Sequence, residues 1–337
     1  MKKPIGVFYE HPEWFKPFFR TLEERGLPYE KIHAGFHRFD PLADPPYGVV
    51  INRVSSSSYL RGHTQAIFYA NDYIGYLEAN GVRVINGTRA SEIETSKALQ
   101  LVLFRKLGIA FPKAVVVNHP SQLVAAAQGL RYPVVVKPNI GGSGAGILRF
   151  DTEGALAAAV EADSIDLGID HTALVQEFVP ARGGHIHRVE TLDGKFLYAL
   201  KVYPPGDSFN LCPAEICQVP LPSAASVPTQ EGSPRTTPEP EAPVAIGEAC
   251  LTTAAKKGIR VEPFTPPAEI VAAVERIVAE ASIDVGGIEY LIDDRTGEAL
   301  FYDINALSNF IADAVNVVGF DPFQNLVDYI DSLNPEQ

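Results

Sequence analysis

Cysteine is scarce in this sequence: Cys212, Cys217 and Cys250 are the only three in 337 residues. An odd count excludes a fully paired disulfide framework, and no Cys-x-x-Cys zinc signature is formed, so reduced thiols in a cytoplasmic protein are the expectation. Basic residues are also few, with 28 Lys and Arg against 41 Asp and Glu, a net charge of −13. That acidity argues against a nucleic-acid or membrane-surface partner and makes any local gathering of basic groups more telling. Long apolar runs are missing too. No stretch approaches the roughly 18 apolar residues of a membrane span, and the apolar residues after Met1-Lys2-Lys3 stop at Glu10, too soon for a signal-peptide core. Hydrophobic content of 46% and charged content of 20% are those of a globular protein. The chain is too long for one small core, so two or three subdomains are expected.

What is present centres on Tyr132 to Phe150, Y-P-V-V-V-K-P-N-I-G-G-S-G-A-G-I-L-R-F. Val134, Val135 and Val136 form a β-branched run bounded by prolines, which suits a strand buried on both faces. Lys137 closes it, and an ammonium there must find an anion or water, because burying it unpaired is costly. Gly141, Gly142, Gly144 and Gly146 then let backbone N–H groups approach a phosphate with no side chain in the way. A dinucleotide-binding or Walker-type loop must open a helix, and the latter ends in Gly-Lys-Ser/Thr. Here the loop runs into the strand-like Ile147 to Phe150 and that lysine is absent, so a mobile flap folding over nucleotide phosphates is expected.

Strands at Ile5–Tyr9, Gly48–Asn52 and Val82–Ile85 alternate with helices at Pro12–Arg25 and His63–Asn80, which implies a parallel sheet with its ligand at the carboxyl ends of the strands. Arg53 and Ser55 to Ser58 come just after one such end and are placed to meet a ligand, although a solvated serine loop fits equally. Ser91-x-x-Glu94 reads as a capping box opening one helix to Leu107, with Lys97 in its second turn. A hairpin joins His185–Leu192 to Lys195–Tyr203 through Asp193-Gly194, a type I′ turn signal. Pro220 to Pro243 is Pro-, Ser- and Thr-rich and reads as a loosely held insertion. A helix is expected over Pro267–Ala281.

A second hairpin, Gly287–Ile292 with Ala299–Ile304, carries acids. A five-residue loop would pair Asp293 with Ala299, Leu291 with Phe301 and Glu289 with Asp303, and paired residues share a face about 5 Å apart. Asn305, two residues on, points the same way. Two opposed carboxylates beside apolar residues call for a cation, and Glu289, Asp303 and Asn305 suit Mg²⁺.

Lys97 in T-S-K-A-L-Q, Lys137 before G-G-S-G-A-G, V-Q-E-F-V, G-G-H-I-H-R, G-I-E-Y-L and Y-D-I-N-A together resemble the ATP-grasp superfamily, on its RimK-like and glutathione-synthetase-like side. The resemblance implies an α/β protein, α+β in its C-terminal lobe: an N-terminal parallel domain (1–90), a central lobe with the flap (91–178), and a C-terminal lobe (179–337) containing the metal site and the insertion 219–246. It implies that Lys97 and Lys137 hold ATP phosphates under a flap that includes Gly141, Gly142, Ser143 and Gly144. Gln176, Glu177, Phe178 and Val179 would be the hinge that reads adenine. Arg188 would stabilise transferred phosphate or substrate, with Lys201 and Asn210 as further polar contacts. Glu289, Asp303 and Asn305 match its magnesium ligands, with two Mg²⁺ expected and Mn²⁺ as a substitute.

The implied activity is an ADP-forming carboxylate–amine ligase working through an acyl phosphate on a small acid and an amine. A small-molecule kinase and a non-catalytic ATP-binding regulator are the alternatives, and a homo-oligomer is compatible. Two departures stand out. Pro180, Ala181 and Arg182 occupy the place of an acid that often meets the ribose, and Ala306-Leu307-Ser308-Asn309-Phe310 replaces a Pro-Gly turn that often shapes the acceptor pocket.

Overall fold

The computed structural model describes residues 2–11, 13–142, 144–204 and 259–334. Ser143, Asn210 and the insertion 219–246 lie outside the described residues. Strands β1 (Ile5–Tyr9), β2 (Tyr29–His33), β3 (Val49–Arg53) and β4 (Arg83–Ile85) form a parallel sheet in the order β2-β1-β3-β4. Alternation along the strands divides its two cores. Ile5, Val7, Val49 and Ile51 pack with Phe15, Phe18 and Leu22 around helix α1 (Lys16–Glu24), while Phe8 and Val50 pack with Ala70, Ile74 and Leu77 of helix α2 (Thr64–Ala79). β2 is not expected from the sequence: it is an edge strand, Y-E-K-I-H, in which only Ile32 is buried, so no apolar alternation marks it. Glu10 and His11 come after β1 and Ser55 to Ser57 after β3, all at the carboxyl edge of the sheet.

The helix expected from Ser91 to Leu107 is two helices, α3 (Thr88–Glu94) and α4 (Lys97–Leu107). Ser91 is inside α3, where its hydroxyl meets Asn71 Oδ1 at 2.8 Å, and the cap of α4 is Ser96, whose Oγ accepts from Leu99 N. The break changes the placement of both acid and base: Glu94 ends one helix and Lys97 opens the next.

β5 (Ala114–Val117), β6 (Val134–Pro138), β7 (Leu148–Phe150) and β8 (Ala173–Glu177) form an antiparallel sheet in the order β5-β8-β6-β7. The five-stranded third sheet runs β11-β10-β9-β12-β13, made of β9 (Ile186–Leu192), β10 (Lys195–Tyr203), β11 (Arg260–Pro263), β12 (Val285–Ile292) and β13 (Ala299–Asn305). Asp193 and Gly194 both have positive φ, 53° and 67°, as a type I′ turn requires. The helix Ala268–Glu280 buries Val274, Ile277 and Val278 against this sheet.

Glu289 does pair with Asp303, but the remaining register differs from expectation: Tyr290 faces Phe301, Leu291 faces Leu300 and Ile292 faces Ala299. A β-bulge at Tyr302 absorbs one residue. It turns Phe301 to the face of Tyr290 and Ile288, away from Glu289, and frees Tyr302 to reach the acids.

Candidate active site

Two cavities meet between the sheets and share Lys137, Ile147 and Tyr302 as lining residues. The first, about 130 Å³, is walled by the glycine loop, by Lys97, Arg188, Glu289, Asp303 and Asn305, and by Ser55 to Ser57 of the N-terminal sheet. The second, about 690 Å³, lies along Gln176 to Val179. That volume is in the range of small-molecule sites, about 300–1,000 Å³.

Lys97 Nζ sits 2.5 Å from Asp303 Oδ1. Burial lowers the lysine's pKa, but the ion pair outweighs it and the net shift is upward. Lys137, at the end of β6, points Nζ towards the Tyr302 carbonyl at 3.5 Å. Burial, and then the nearby Lys97 charge, bring its pKa down to about 7. Arg188 is held on three sides: Nε donates to Glu190 Oε1 at 2.6 Å, Nη1 to Glu289 Oε1 at 3.1 Å and Nη2 to Ser308 Oγ at 3.0 Å. Tyr302 donates its phenol to Glu289 Oε2 at 2.9 Å. Burial raises the Glu289 pKa, and Arg188 opposes that rise without cancelling it.

Glu289, Asp303 and Asn305 all line the first cavity, and Glu289 and Asp303 stand directly opposite one another. A cationic nitrogen already lies against Asp303, which shows that the spot favours positive charge. Among the described residues no three His, Cys, Asp or Glu side chains gather as a metal cluster. The two carboxylates and the amide that line the cavity are a set that would fit Mg²⁺, which takes one or two carboxylates and completes its shell with phosphates and water. In the second cavity Gln176 Oε1 is buried with no hydrogen-bond partner, an acceptor fitted to a ligand's N–H.

Gly141, Gly142 and Gly144 line the first cavity, and β7 succeeds the loop as the flap reading requires. Gln176, Glu177, Phe178 and Val179 line the second. Lys201 is not brought to either cavity; it pairs with His187 on the face away from Arg188, its Nζ 5.5 Å from the Phe264 ring centroid. Three further site residues are not evident from the sequence. Glu94 reads there as a capping-box acid, Tyr302 owes its position to the bulge, and Ser308 supports Arg188 from the loop that lacks Pro-Gly. The signal for Glu94 is its place three residues before Lys97, in a run that needs no second cap.

No family model matches the chain. It is 27% identical over 165 residues to a probable alpha-L-glutamate ligase 2 of Pseudoalteromonas atlantica, covering 49% of this chain and 51% of that protein. It is 31% identical over 142 residues to a D-alanine–D-alanine ligase of Haemophilus ducreyi, covering 40% and 44%. The chain thus spans about half the length of the curated relatives it matches. The crystal structure of a RimK domain protein ATP-grasp from Sphaerobacter thermophilus superimposes with a TM-score of 0.64 over 97% of this chain and 99% of that one, at 14% identity. The chain has the ATP-grasp fold. In ATP-grasp terms, the glycine loop of the central sheet and the acids of the five-stranded sheet face one another across the shared cavities. Among the described residues no helix is long and apolar enough to cross a membrane.

Proposed function

We propose that the chain is an ADP-forming ligase that joins a carboxylate to an amine through an acyl phosphate. The observation that carries this reading is the convergence of Lys97, Lys137, Arg188, Glu289, Asp303 and Asn305 on one cavity, opening beside a second cavity that offers Gln176 to a base. ATP lies with adenine along Gln176 to Val179 and its phosphates under the glycine loop. Glu289, Asp303 and Asn305 hold Mg²⁺, one or two ions, which supplies charge neutralisation at the transferred phosphoryl group. Lys97, Lys137 and Arg188 offset the remaining negative charge, so positioning and electrostatics carry the reaction and no side-chain nucleophile is required. Glu190 and Ser308 fix the Arg188 guanidinium, and Tyr302 fixes Glu289. Closure of the Gly141–Gly146 flap excludes the water that would hydrolyse the activated acid. The acid and amine enter from the N-terminal sheet past Ser55 to Ser57.

The relatives' names, glutamate ligase and D-alanine–D-alanine ligase, support small amino-acid substrates. The test is ADP release with ATP, Mg²⁺ and pairwise mixtures of amino acids and small carboxylates. The ligase reading predicts release that requires both an acid and an amine, with the amide seen by mass spectrometry. Release with a single hydroxyl compound and a phosphorylated product would make the protein a kinase. No release with any mixture would leave it an ATP-binding regulator.

A further inference from the structure

One carboxylate in the first cavity is unused by the phosphate chemistry. Glu94 closes α3 and lines that cavity beside Ser55, Ser56 and Ser57. Ser56 Oγ donates to its Oε1 at 3.0 Å and Ala306 N to its Oε2 at 2.6 Å. These two bonds aim the carboxylate and still leave it acceptor capacity, since an ionised carboxylate offers about four lone-pair sites. Both partners are neutral. Lys97, three residues further on, donates to Asp303. Burial and then the Asp303 charge push the Glu94 pKa up, and the bonds from Ala306 and Ser56 and the charge of Lys97 offset that only in part.

Its position points the same way. Ala306, which donates to Glu94, comes directly after Asn305, so the carboxylate stands beside the acids read as metal ligands. Ser56 lies at the carboxyl edge of the N-terminal sheet and also donates to the Gly141 carbonyl of the flap at 3.2 Å. Glu94 is therefore where three surfaces meet: flap, metal-bearing strand and serine loop. Glu94 lines the first cavity and not the second, which runs along Gln176 to Val179.

We propose that Glu94, oriented by Ser56, seats the second substrate as a primary ammonium, which gives up one proton to Glu94 or to water before its nitrogen attacks the acyl phosphate and loses the second with the departing phosphate. This rests on the ligase reading above and adds the class of acceptor: a cationic primary amine, such as the α-amino group of an amino acid. It excludes acceptors that arrive as neutral amides or hydroxyl compounds.

Hydroxylamine separates this proposal from the reading beneath it. It is uncharged near neutral pH and needs no ammonium seat. It attacks the acyl phosphate directly, forming a C–N bond as the C–O bond to phosphate breaks, and the nitrogen's proton leaves with the phosphate. Wild type, Glu94→Gln, Glu94→Asp and Ser56→Ala are compared with ATP, Mg²⁺ and the amino-acid mixtures, with and without hydroxylamine. Glutamine keeps an acceptor for Ala306 N, and an unchanged melting temperature verifies folding.

The expected result for Glu94→Gln is a KM for the amine raised about 10- to 100-fold, the loss of one charge-assisted contact. Hydroxamate formation and the Mg²⁺ requirement should stay within about threefold. Glu94→Asp should recover part of the amine KM, and Ser56→Ala should raise it less than Glu94→Gln does. An unchanged amine KM, hydroxamate and amide falling together, or a raised Mg²⁺ requirement would each overturn the proposal. Wild type yielding neither hydroxamate nor ADP would instead overturn the ligase reading itself.

Discussion

Nucleotide binding above neutral pH should draw a proton from solvent onto Lys137. Its ammonium is buried between β6 and Tyr302, near a second lysine, and its pKa is lowered to about 7 from the ordinary 10.5. Asp303 and Glu289 pull the other way but do not restore it. At pH 8 the side chain is therefore neutral in roughly 0.9 of nucleotide-free molecules, at pH 7 in about 0.5, and at pH 6 in about 0.1. A triphosphate beside Nζ favours the charged form, so those fractions are the protons taken up per nucleotide bound. ATP adds nothing at pH 8, since its terminal phosphate, with a second pKa of about 6, is already deprotonated. The assay is calorimetric titration of ATP at pH 8 in buffers of different ionisation enthalpy, repeated at pH 6 and with Lys137→Met. Heats that vary with buffer at pH 8 and not in the variant are expected; at pH 6 the lysine's uptake falls to about 0.1 proton, and the exchange that remains is the nucleotide's own and persists in the variant. The same heat in every buffer at pH 8, or uptake persisting at pH 8 in Lys137→Met, would refute the assignment. The linkage sign is fixed as well. The folded value lies below the unfolded one, so Lys137 costs the native state most below pH 7, and that cost fades as pH rises towards 10.5.

Asp303→Asn should lower turnover by at least about 10²-fold, because it removes a carboxylate proposed to hold the Mg²⁺ that offsets charge on the transferred phosphoryl group. Its melting temperature should shift by only a few degrees, about 1 kcal/mol, since the Lys97 partner keeps contact with the cavity; near-normal turnover would remove Asp303 from the metal site. Gly287→Ala tests the mounting of Arg188. A Cβ there would lie 3.0 Å from both Arg188 Nε and Nη2 and from Glu190 Oε1, all buried. Displacing the guanidinium should cost turnover about 10- to 100-fold with the KM for ATP nearly constant, and steady-state kinetics showing no change would mean that Arg188 is not positioned by this contact.

The elements legible in the sequence are those whose pattern is local. Val134 to Val136, the Asp193-Gly194 turn and the facing of Glu289 with Asp303 each arise from a short run of residues, and each stands where expected. The setting of the glycine loop between two strands is legible because its glycines run into a strand-like run rather than a helical one. The register beyond Asp303 is not, since the bulge at Tyr302 is set by packing of Phe301 under Tyr290, which no spacing within the hairpin encodes. The break between α3 and α4 is hidden because Ser91 and Ser96 both look like caps, and the choice between them is made by Asn71 and Asn139, distant in sequence. Lys201 and Lys137 are both lysines on apolar strands; only the pleat decides that one faces the cavities and the other Phe264.

The most direct measurement is a crystal of the protein soaked with a non-hydrolysable ATP analogue and Mn²⁺ as an anomalous marker. A peak bound by Glu289 and Asp303 at about 2.2 Å, with the base along Gln176 to Val179 and Lys97 moved from Asp303 to phosphate, is predicted. Nucleotide seated elsewhere, or no metal between those two carboxylates, would contradict the account.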